Sequence, residues 1–222
     1  MKKRVSILLL SSVLALGVSC KKDNAADAEV NDAAATTEVS AESQKYTVDA
    51  AGSTIEWKAS KPTGNHNGTI GLSNGEISVK DGNLEAGKFT IDMKSITVTD
   101  LKAGDGKEDL ESHLKGLGKD DADHFFNINK YPTGTFEMTG SSKEGEKTMI
   151  EGNLTLKGVT KNIKFPATVT IAEDAVTIVS ETFNINRTLW NINYSSKSVI
   201  ENLGDKYIND DIEIKVNLKA KK

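Results

Sequence analysis

Cysteine and catalytic motifs are what this 222-residue sequence most clearly lacks. Cys20 is the only cysteine, so the chain has neither an internal disulfide nor a cysteine-based zinc site. It also has no Gly-x-Ser-x-Gly turn, no Walker loop and no His-Glu-x-x-His motif. Because nothing in the sequence supports catalysis, we predict a protein that is not an enzyme, with no catalytic residue, no metal and no cofactor.

An excess of positive charge is missing as well. The 28 Lys and Arg residues are outnumbered by 32 Asp and Glu residues, which gives a net charge of −4. A protein that binds nucleic acid needs a basic face, so we predict no nucleic-acid partner. His113 and His124 lie near several aspartates, but their spacing matches no standard metal site.

The hydrophobic stretch at residues 5–17 is too short to cross a bilayer, which takes about 20 residues. Three basic residues precede it, and this order is typical of a secretory signal peptide, here residues 1–20. Cys20 follows small residues directly after the stretch, which resembles the lipobox of bacterial lipoproteins. We therefore predict that acylated Cys20 anchors the protein to a membrane of the cell envelope, facing the periplasm or the cell surface. The alternative is a signal peptide with an incidental cysteine.

The rest of the chain divides into a spacer and a folded domain. Residues 21–45 are rich in alanine and acidic residues and contain no aromatic residue. Such a composition buries too little apolar area to offset the entropy of ordering, so we expect a disordered tether. All 12 aromatic residues and 17 of the 18 glycines lie in residues 46–222, which we predict to be the folded domain.

The periodicity within 46–222 is that of β-strands. Apolar and charged residues alternate, for example at residues 55–59 and 212–219, which predicts an antiparallel sheet with one wet face. Eight or more such strands favour closure into an all-β antiparallel barrel, because closure removes exposed edges. Turns are predicted at Asn74-Gly75, Asp81-Gly82 and Glu144-Gly145.

Two irregularities interrupt this alternation. The apolar phase slips by one residue after Met93, which predicts a β-bulge near Lys94 or Ser95. Residues 105–130 contain the single stretch with helical spacing, and Asp105 followed by Glu108 resembles a capping box. We expect one short helix here, in an insertion that covers one end of the barrel.

Alternation also indicates which side chains share the interior. If Ile55 points inward, Trp57 does too, and Phe183 shares its face with Arg187. On the same argument His66 and Arg187 lie at one end of an apolar interior, where they would suit a lipid with a polar or anionic head. The alternatives are that Trp57 and Phe183 are ordinary packed core and that Arg187 pairs with an acidic neighbour.

A set of short motifs runs through the folded domain: Tyr46–Asp49, Ser53–Trp57, Gly64–Gly68, His113-Leu114, Phe125-Phe126, Lys130–Pro132 with Thr135-Phe136, Gly152–Lys161, Arg187–Asn191 and Asp211–Leu218. Together they resemble a known family, the YceI-like domain, over nearly all of 46–222. The resemblance implies a barrel that is lipocalin-like in shape. Asn191 stands where the family has glycine, and the segment 117–122 is longer than the usual spacing. The resemblance implies an elongated apolar cavity that holds an isoprenoid or another long-chain lipid.

Together these arguments select eight candidate ligand-binding residues: Trp57, His66, Phe89, Phe136, Leu154, Phe183, Arg187 and Trp190. The first hypothesis is a lipid-anchored carrier or store for the ligand, with a role related to quinones or to stress. The second is a stress-response or interaction protein whose barrel is filled by its own side chains. The third is an enzyme that acts on a lipid head group. Cavity volume separates the first two, because a ligand site is expected to reach roughly 300 Å³. The sequence leaves open whether the barrel forms a homodimer.

Overall fold

The computed structural model describes residues 25–222, most of which lie in β-strands. The predicted signal peptide and Cys20 fall outside this range. The strands are β1 (Ala26–Asp27), β2 (Glu29–Asp32), β3 (Gln44–Val48), β4 (Thr54–Lys61), β5 (Gly64–Lys80), β6 (Asn83–Val98), β7 (Thr133–Glu144), β8 (Lys147–Leu156), β9 (Val159–Ile171), β10 (Ala175–Ser180), β11 (Phe183–Asn186) and β12 (Asp211–Lys221). One α-helix, α1 (Lys107–Lys115), separates β6 from β7.

The sheet closes on itself through eight strands. From β4 to β10 each strand pairs antiparallel with the next along the chain. The last strand, β12, then pairs with β10 on one side and with β4 on the other. The prediction of an all-β antiparallel barrel of about eight strands is therefore confirmed.

No helix within residues 25–222 is both long and apolar enough to cross a membrane.

The hydrophobic core lies inside the ring, as the alternation predicted. On β4, buried Trp57 stands between exposed Glu56 and Lys58. The predicted bulge is also present in β6: residues 93–96 lie opposite the single residue Ile70 of β5. The Ser95 hydroxyl closes this bulge, since it accepts from the Gly71 amide at 2.7 Å and donates to the Asp92 carbonyl at 2.6 Å.

The turn predicted at Asn74-Gly75 is wrong, because both residues lie inside β5. Position 75 needs glycine because there is no room for a side chain, and not because the chain turns there. A Cβ at Gly75 would lie 2.8 Å from a Val48 methyl and 2.9 Å from the Phe89 ring. The glycine therefore lets β3 and β6 side chains approach the backbone of β5. At Asp81-Gly82 the chain does turn, with φ of 50° and 72°, the positive values that a tight two-residue hairpin requires.

The predicted helical insertion is confirmed, but its first turn differs from the capping box. Gly106 takes the N-cap position, and the Glu108 carboxylate accepts from the Gly104 amide at 3.0 Å. At the other end Gly116 adopts a left-handed conformation, as a helix stop should. The Glu111 carboxylate accepts from the Val98 amide at 2.9 Å, which fastens α1 to the end of β6.

Residues 25–43, which we call the strap, correct the expectation of a disordered tether. β1 pairs in parallel with β11, and β2 pairs antiparallel with β9. β9 pairs with β10 only at residues 167–171, so the part of β9 before residue 167 has no partner in β10. There the strap lies between β9 and β11 and pairs with both. The strap therefore fills a gap in the wall, which we call the seam, with Ala28 and Val30 packed against the core. Composition underestimated its order because much of the strap is held through its backbone.

Asn153 holds the strap beyond the seam. Its side-chain amide donates to the Ala34 carbonyl at 2.7 Å and accepts from the Ala34 amide at 3.0 Å. Asn162 supports this side chain from below by donating to its oxygen at 3.2 Å. Farther along, Ser40 and Ser43 both donate to the Glu85 carboxylate. The strap thus crosses the outside of β8 and β6 before it enters β3.

We expect Asn153→Ala to loosen the strap, because it removes both hydrogen bonds to the exposed Ala34 backbone, each worth about 0.5–1.5 kcal/mol once water replaces the lost partner. Hydrogen exchange should accelerate in residues 26–37 while the barrel strands keep their protection. Asp32→Ala is the matched control, since it removes only an exposed ion pair with Lys161. Equal exchange in Asn153→Ala and the unaltered protein would contradict this account of the strap.

Candidate functional site

The interior of the ring contains one cavity of about 180 Å³ whose wall is almost entirely hydrophobic. The strands from β4 to β12 supply most of this wall, and residues of α1 and the loops after it close one end. The lining side chains are Ile55, Trp57, Ala59, Ile70, Leu72, Phe89, Ile91, Met93, Ile96, Leu114, Phe125, Phe126, Phe136, Met138, Ile150, Leu154, Leu156, Ile163, Phe165, Ile178, Phe183, Ile185, Arg187, Trp190, Ile192, Ile208, Ile212, Ile214, Val216 and Leu218. Arg187 alone among them carries a charge.

Seven of the eight candidate ligand-binding residues line this cavity. They are Trp57, Phe89, Phe136, Leu154, Phe183, Arg187 and Trp190. The structure therefore brings together residues that lie up to 133 positions apart in the chain. That they line the cavity is a statement about geometry, and their role in binding stays a prediction.

His66 is the exception, and its placement in the interior is corrected. It lies opposite Ala59 near the end of the β4–β5 pair, with 33% of its side chain exposed. Its Nδ1 lies 2.8 Å from the Asp100 carboxylate just beyond β6, so the ring is held at the rim. Partial burial raises the pKa of Asp100, but hydrogen bonds from the Asn67 amide and the His66 ring outweigh it and leave the pKa below its usual value.

Arg187 lines the cavity, but most of its hydrogen-bonding capacity is already used within the protein. Its guanidinium donates to the carbonyls of Ile192 at 2.6 Å, Asn209 at 3.1 Å and Ile208 at 3.1 Å. The Asp210 carboxylate lies 3.6 Å away. Burial lowers the pKa of Arg187, and the neighbouring carboxylate opposes that shift. The guanidinium thus ties together the loops at one end of the barrel, and the expected pairing with an anionic head is not supported by its geometry.

A row of four aromatic rings crosses the cavity. Phe89 and Phe136 are 6.2 Å apart between ring centroids, Phe136 and Phe165 are 5.9 Å apart, and Phe165 stacks on Phe183 at 4.5 Å. Phe165 was not among the candidates, although its alternation with Ile163 could have identified it. The flexible side chains of Met93 and Met138 were missed as lining residues in the same way.

The end of the cavity beside α1 is covered by a lid, residues 107–131. Leu114, Phe125 and Phe126 of the lid face the cavity. Behind them His113 Nε2 lies 2.9 Å from His124 Nδ1, and Tyr194 stacks on the His124 ring at 4.1 Å. The two histidines are therefore bonded to each other. Among the described residues no group of three or more His, Cys, Asp and Glu side chains is placed to hold a metal.

The turn after Trp190 places Asn191 in the left-handed region of the backbone. This residue has φ of 58° and ψ of 30°, a left-handed conformation that asparagine tolerates better than most residues. The Trp190 indole, fully buried, donates to the Leu154 carbonyl at 3.0 Å and so fixes the turn against β8.

A family model described as the YceI-like domain matches residues 46–220. The chain belongs to the YceI-like domain family. The strap, residues 25–43, lies before the matched range.

Curated relatives of the YceI-like domain match a shorter stretch. A UPF0312 protein of Pectobacterium carotovorum is 34% identical over 88 residues, and Protein YceI of Salmonella arizonae is 33% identical over 88 residues. In both cases the match covers 36% of this chain and 43% of the relative. The chain thus spans less than half the length of the curated relatives it matches.

Solved structures show the same YceI-like fold over most of the chain. Burkholderia cenocepacia BcnA has a TM-score of 0.59 at 22% identity, covering 78% of this chain and 99% of BcnA. A polyisoprenoid-binding domain from Saccharophagus degradans, implicated in plant cell wall breakdown, has a TM-score of 0.55 at 14% identity, covering 79% and 97%. At these identities the likeness establishes the fold.

The lid should loosen below about pH 6.5 because of His113. Burial lowers the pKa of His113 in the folded protein, His124 lowers it further, and Asp121 opposes the shift. An open lid returns the ring to its ordinary pKa and binds the proton more tightly, so the closed lid loses stability as pH falls through that window. Hydrogen exchange in 107–131, corrected for its intrinsic rate, should rise between about pH 7.5 and about pH 5.5. The rise should be absent in His113→Asn, and a rise of the same size in both proteins would contradict this origin.

Proposed function

We propose that this protein binds a long apolar ligand, an isoprenoid or a fatty chain, inside its closed sheet. The observation that carries the proposal is the cavity inside the ring, whose wall is hydrophobic except at Arg187. Since each Arg187 side-chain nitrogen already donates to a backbone carbonyl, the wall presents apolar surface to whatever enters. The Saccharophagus degradans domain of the same fold binds polyisoprenoids by its description, which supports this class of ligand.

The cavity volume sets a condition on this proposal. About 180 Å³ is below the roughly 300 Å³ of an ordinary ligand site, so a long chain must displace side chains. Met93 and Met138 are suited to such movement, because methionine is unbranched and adapts to irregular spaces. Overpacking a core costs about 1–3 kcal/mol, and each buried methylene returns about 0.8 kcal/mol. About four methylenes therefore offset the upper end of the cost.

The same small volume favours a second candidate function. A barrel filled by its own side chains would act through its outer surface as a non-enzymatic interaction or stress-response protein. In that case the row of aromatic rings is ordinary core packing. The two candidates differ in whether the interior exchanges its contents, and neither assigns a catalytic step to the described residues.

The place of action in this proposal is the cell envelope. The sequence of residues 1–20 resembles a secretory signal ending at a cysteine, and acylation of Cys20 would attach the barrel to a membrane. More than one acyl chain gives stable anchoring, because a single chain binds only marginally. The ligand would then be held close to the membrane, for transport or storage.

Native mass spectrometry of the full chain tests the proposal directly. The protein is released from its host membrane in a mild detergent that is removed in the gas phase, and its lipids are then extracted. A discrete added mass in the range of prenyl or long-chain lipids is expected. A clean mass of the empty protein, with no uptake of added prenols or quinones, would support the filled barrel instead.

Ala59→Phe should reduce ligand retention, because the new ring enters the cavity from β4. We expect at least a tenfold loss of bound lipid in a variant that still folds, although overpacking lowers its free energy of unfolding by about 1–3 kcal/mol. Lys58→Phe is the matched control, since it adds the same ring one residue away on the exposed face. Retention of lipid by Ala59→Phe at the level of Lys58→Phe would show that the cavity is not the binding site.

Cys20→Ser should release the protein from membranes, because it removes the acylation site. Fractionation of cells that express each form measures this, with the unaltered protein in the membrane pellet and the variant in the soluble fraction. Continued sedimentation of Cys20→Ser with membranes would rule out the lipid anchor.

A further inference from the structure

The exposed hydrophobic side chains of this protein are concentrated at one end of the barrel. Within residues 25–222 the large hydrophobic residues that are exposed are Val39, Leu117, Leu189, Val199 and Ile200. Four of these five lie in the lid or in residues 187–210, the β11–β12 loop, and only Val39 lies on the strap. Single hydrophobic residues scattered over a surface are ordinary, but several at one end indicate a contact surface.

The lid and the β11–β12 loop belong to the same end of the barrel, the lid end. The lid joins β6 to β7 and the loop joins β11 to β12, and the antiparallel order of the strands places both connections there. The Lys157 ammonium ties them together, since it donates to the Asp123 carbonyl at 3.0 Å and to the Asn191 carbonyl at 3.4 Å. The four exposed residues are therefore carried by segments that are held to each other.

The backbone holds Val199 and Ile200 in place. Their amides donate to the Ser196 carbonyl at 3.4 Å and 2.9 Å, and Ser196 is fully buried. Between them and Ser196, the Ser198 hydroxyl donates to the buried Asp210 carboxylate at 2.6 Å. A fixed turn thus presents two adjacent β-branched side chains, 52% and 41% exposed, to the outside.

We propose that the lid end docks on the lipid surface of the membrane that holds the protein, with Leu117, Leu189, Val199 and Ile200 inserted among the lipids. We call these four the docking residues. The inference rests on the proposed acylation of Cys20 and adds to it the face of the barrel that meets the bilayer. Apolar side chains at an interface bind a protein to lipid in proportion to the apolar area they bury.

The start of the strap favours a membrane as the occupant, because it lies near the lid end. Ala26 pairs with Phe183, which pairs with Ile214 of β12. Ile214 lies three residues from the start of β12 at the lid end and seven from its other end, about 10 Å and about 23 Å along the strand. Since the five residues from Cys20 to Ala25 span at most about 18 Å, the anchor would keep the lid end on the membrane side.

The charge of the lid end indicates contact through hydrophobic groups instead of attraction to anionic lipid. Residues 116–124 and 187–201 together contain three Lys and Arg residues and four Asp and Glu residues. Attraction to anionic lipid needs a cluster of Lys and Arg, which these segments lack. Four half-exposed side chains bind weakly by themselves, so docking depends on the anchor, which raises the effective concentration of the partner to the millimolar range. The docking residues alone would not hold Cys20→Ser on a membrane.

Docking at the lid end would place the bilayer next to the cavity. Leu114 of the lid lines the cavity, and Leu117, three residues later, is 50% exposed. The lid thus touches both the proposed ligand site and the proposed lipid contact. A long apolar ligand that passes beneath the lid would move between two apolar surroundings without crossing water.

A nitroxide label on Glu201→Cys tests the inference in the full anchored chain, reconstituted in phosphatidylcholine vesicles. Glu201 is exposed, follows Ile200 directly and leaves the docking residues intact. Glu146→Cys is the matched control, because Glu146 is an equally charged, exposed residue in the β7–β8 turn at the opposite end of the barrel. Oxygen concentrates in lipid, and a nickel chelate stays in water. The ratio of relaxation by oxygen to relaxation by the chelate should be higher at 201 than at 146.

Removal of two docking residues gives a second measurement. Val199→Ser with Ile200→Ser takes away two partly exposed side chains, and each should change the ratio of docked to undocked protein roughly threefold to tenfold. The label at 201 should then return to the accessibility of the label at 146. Val39→Ser is the matched control, since Val39 is 46% exposed on the strap, and it should leave the label in lipid. Lipid contact at 201 that survives the double substitution would overturn the role of the docking residues.

The outcomes separate this inference from the proposed function. In anchored protein, equal accessibility of the labels at 201 and 146 overturns the inference and leaves the anchor and the cavity standing. Spin–spin broadening at 201 would show that two copies meet through the lid end, which also overturns it. A second label on Cys20, detected by mass, reveals a free thiol and overturns the anchor together with the inference.

Discussion

Closure of the ring by β12 is the constraint on which the rest of the structure depends. Its backbone bonds to β10 on one side and to β4 on the other, so the two strands that would otherwise be edges are both paired. Closure turns an alternating sheet into an inside and an outside. The hydrophobic face of each strand then points to the inside of the ring. The cavity is the space that these side chains do not fill.

Polar groups near the cavity serve the architecture more than they serve a ligand. Arg187 binds three carbonyls from residues 192, 208 and 209, and Asp210 balances its charge. Burial raises the pKa of Asp210, but hydrogen bonds from Ser196 and Ser198 and the Arg187 charge outweigh it and lower the pKa overall. This buried pair organises one end of the barrel.

Alternation along the strands predicts the barrel and the bulge in β6, since the inward face follows from local sequence. Together with the family resemblance, which supplied Trp190, it also identifies seven of the eight candidate residues as cavity-lining. Alternation fails for His66 because it predicts which face of the sheet a side chain is on, but not how far along the barrel the side chain lies. His66 lies at the rim, where its ring bonds to Asp100. The carbonyl partners of Arg187 are set by loops up to 22 residues away. The strap was missed because its order depends on a gap in the wall between β9 and β11, which the strap fills. The composition of the strap does not reveal that gap.

The strap would also limit how far the barrel travels if Cys20 is acylated as proposed. It begins at Ala25, five positions after Cys20, and five extended residues reach at most about 18 Å. The proposed anchor would therefore keep the barrel beside its own leaflet, with the seam between β9 and β11 near the lipid surface. Under that proposal the protein would exchange ligand with the membrane that holds it and diffuse laterally with it, instead of crossing the envelope space.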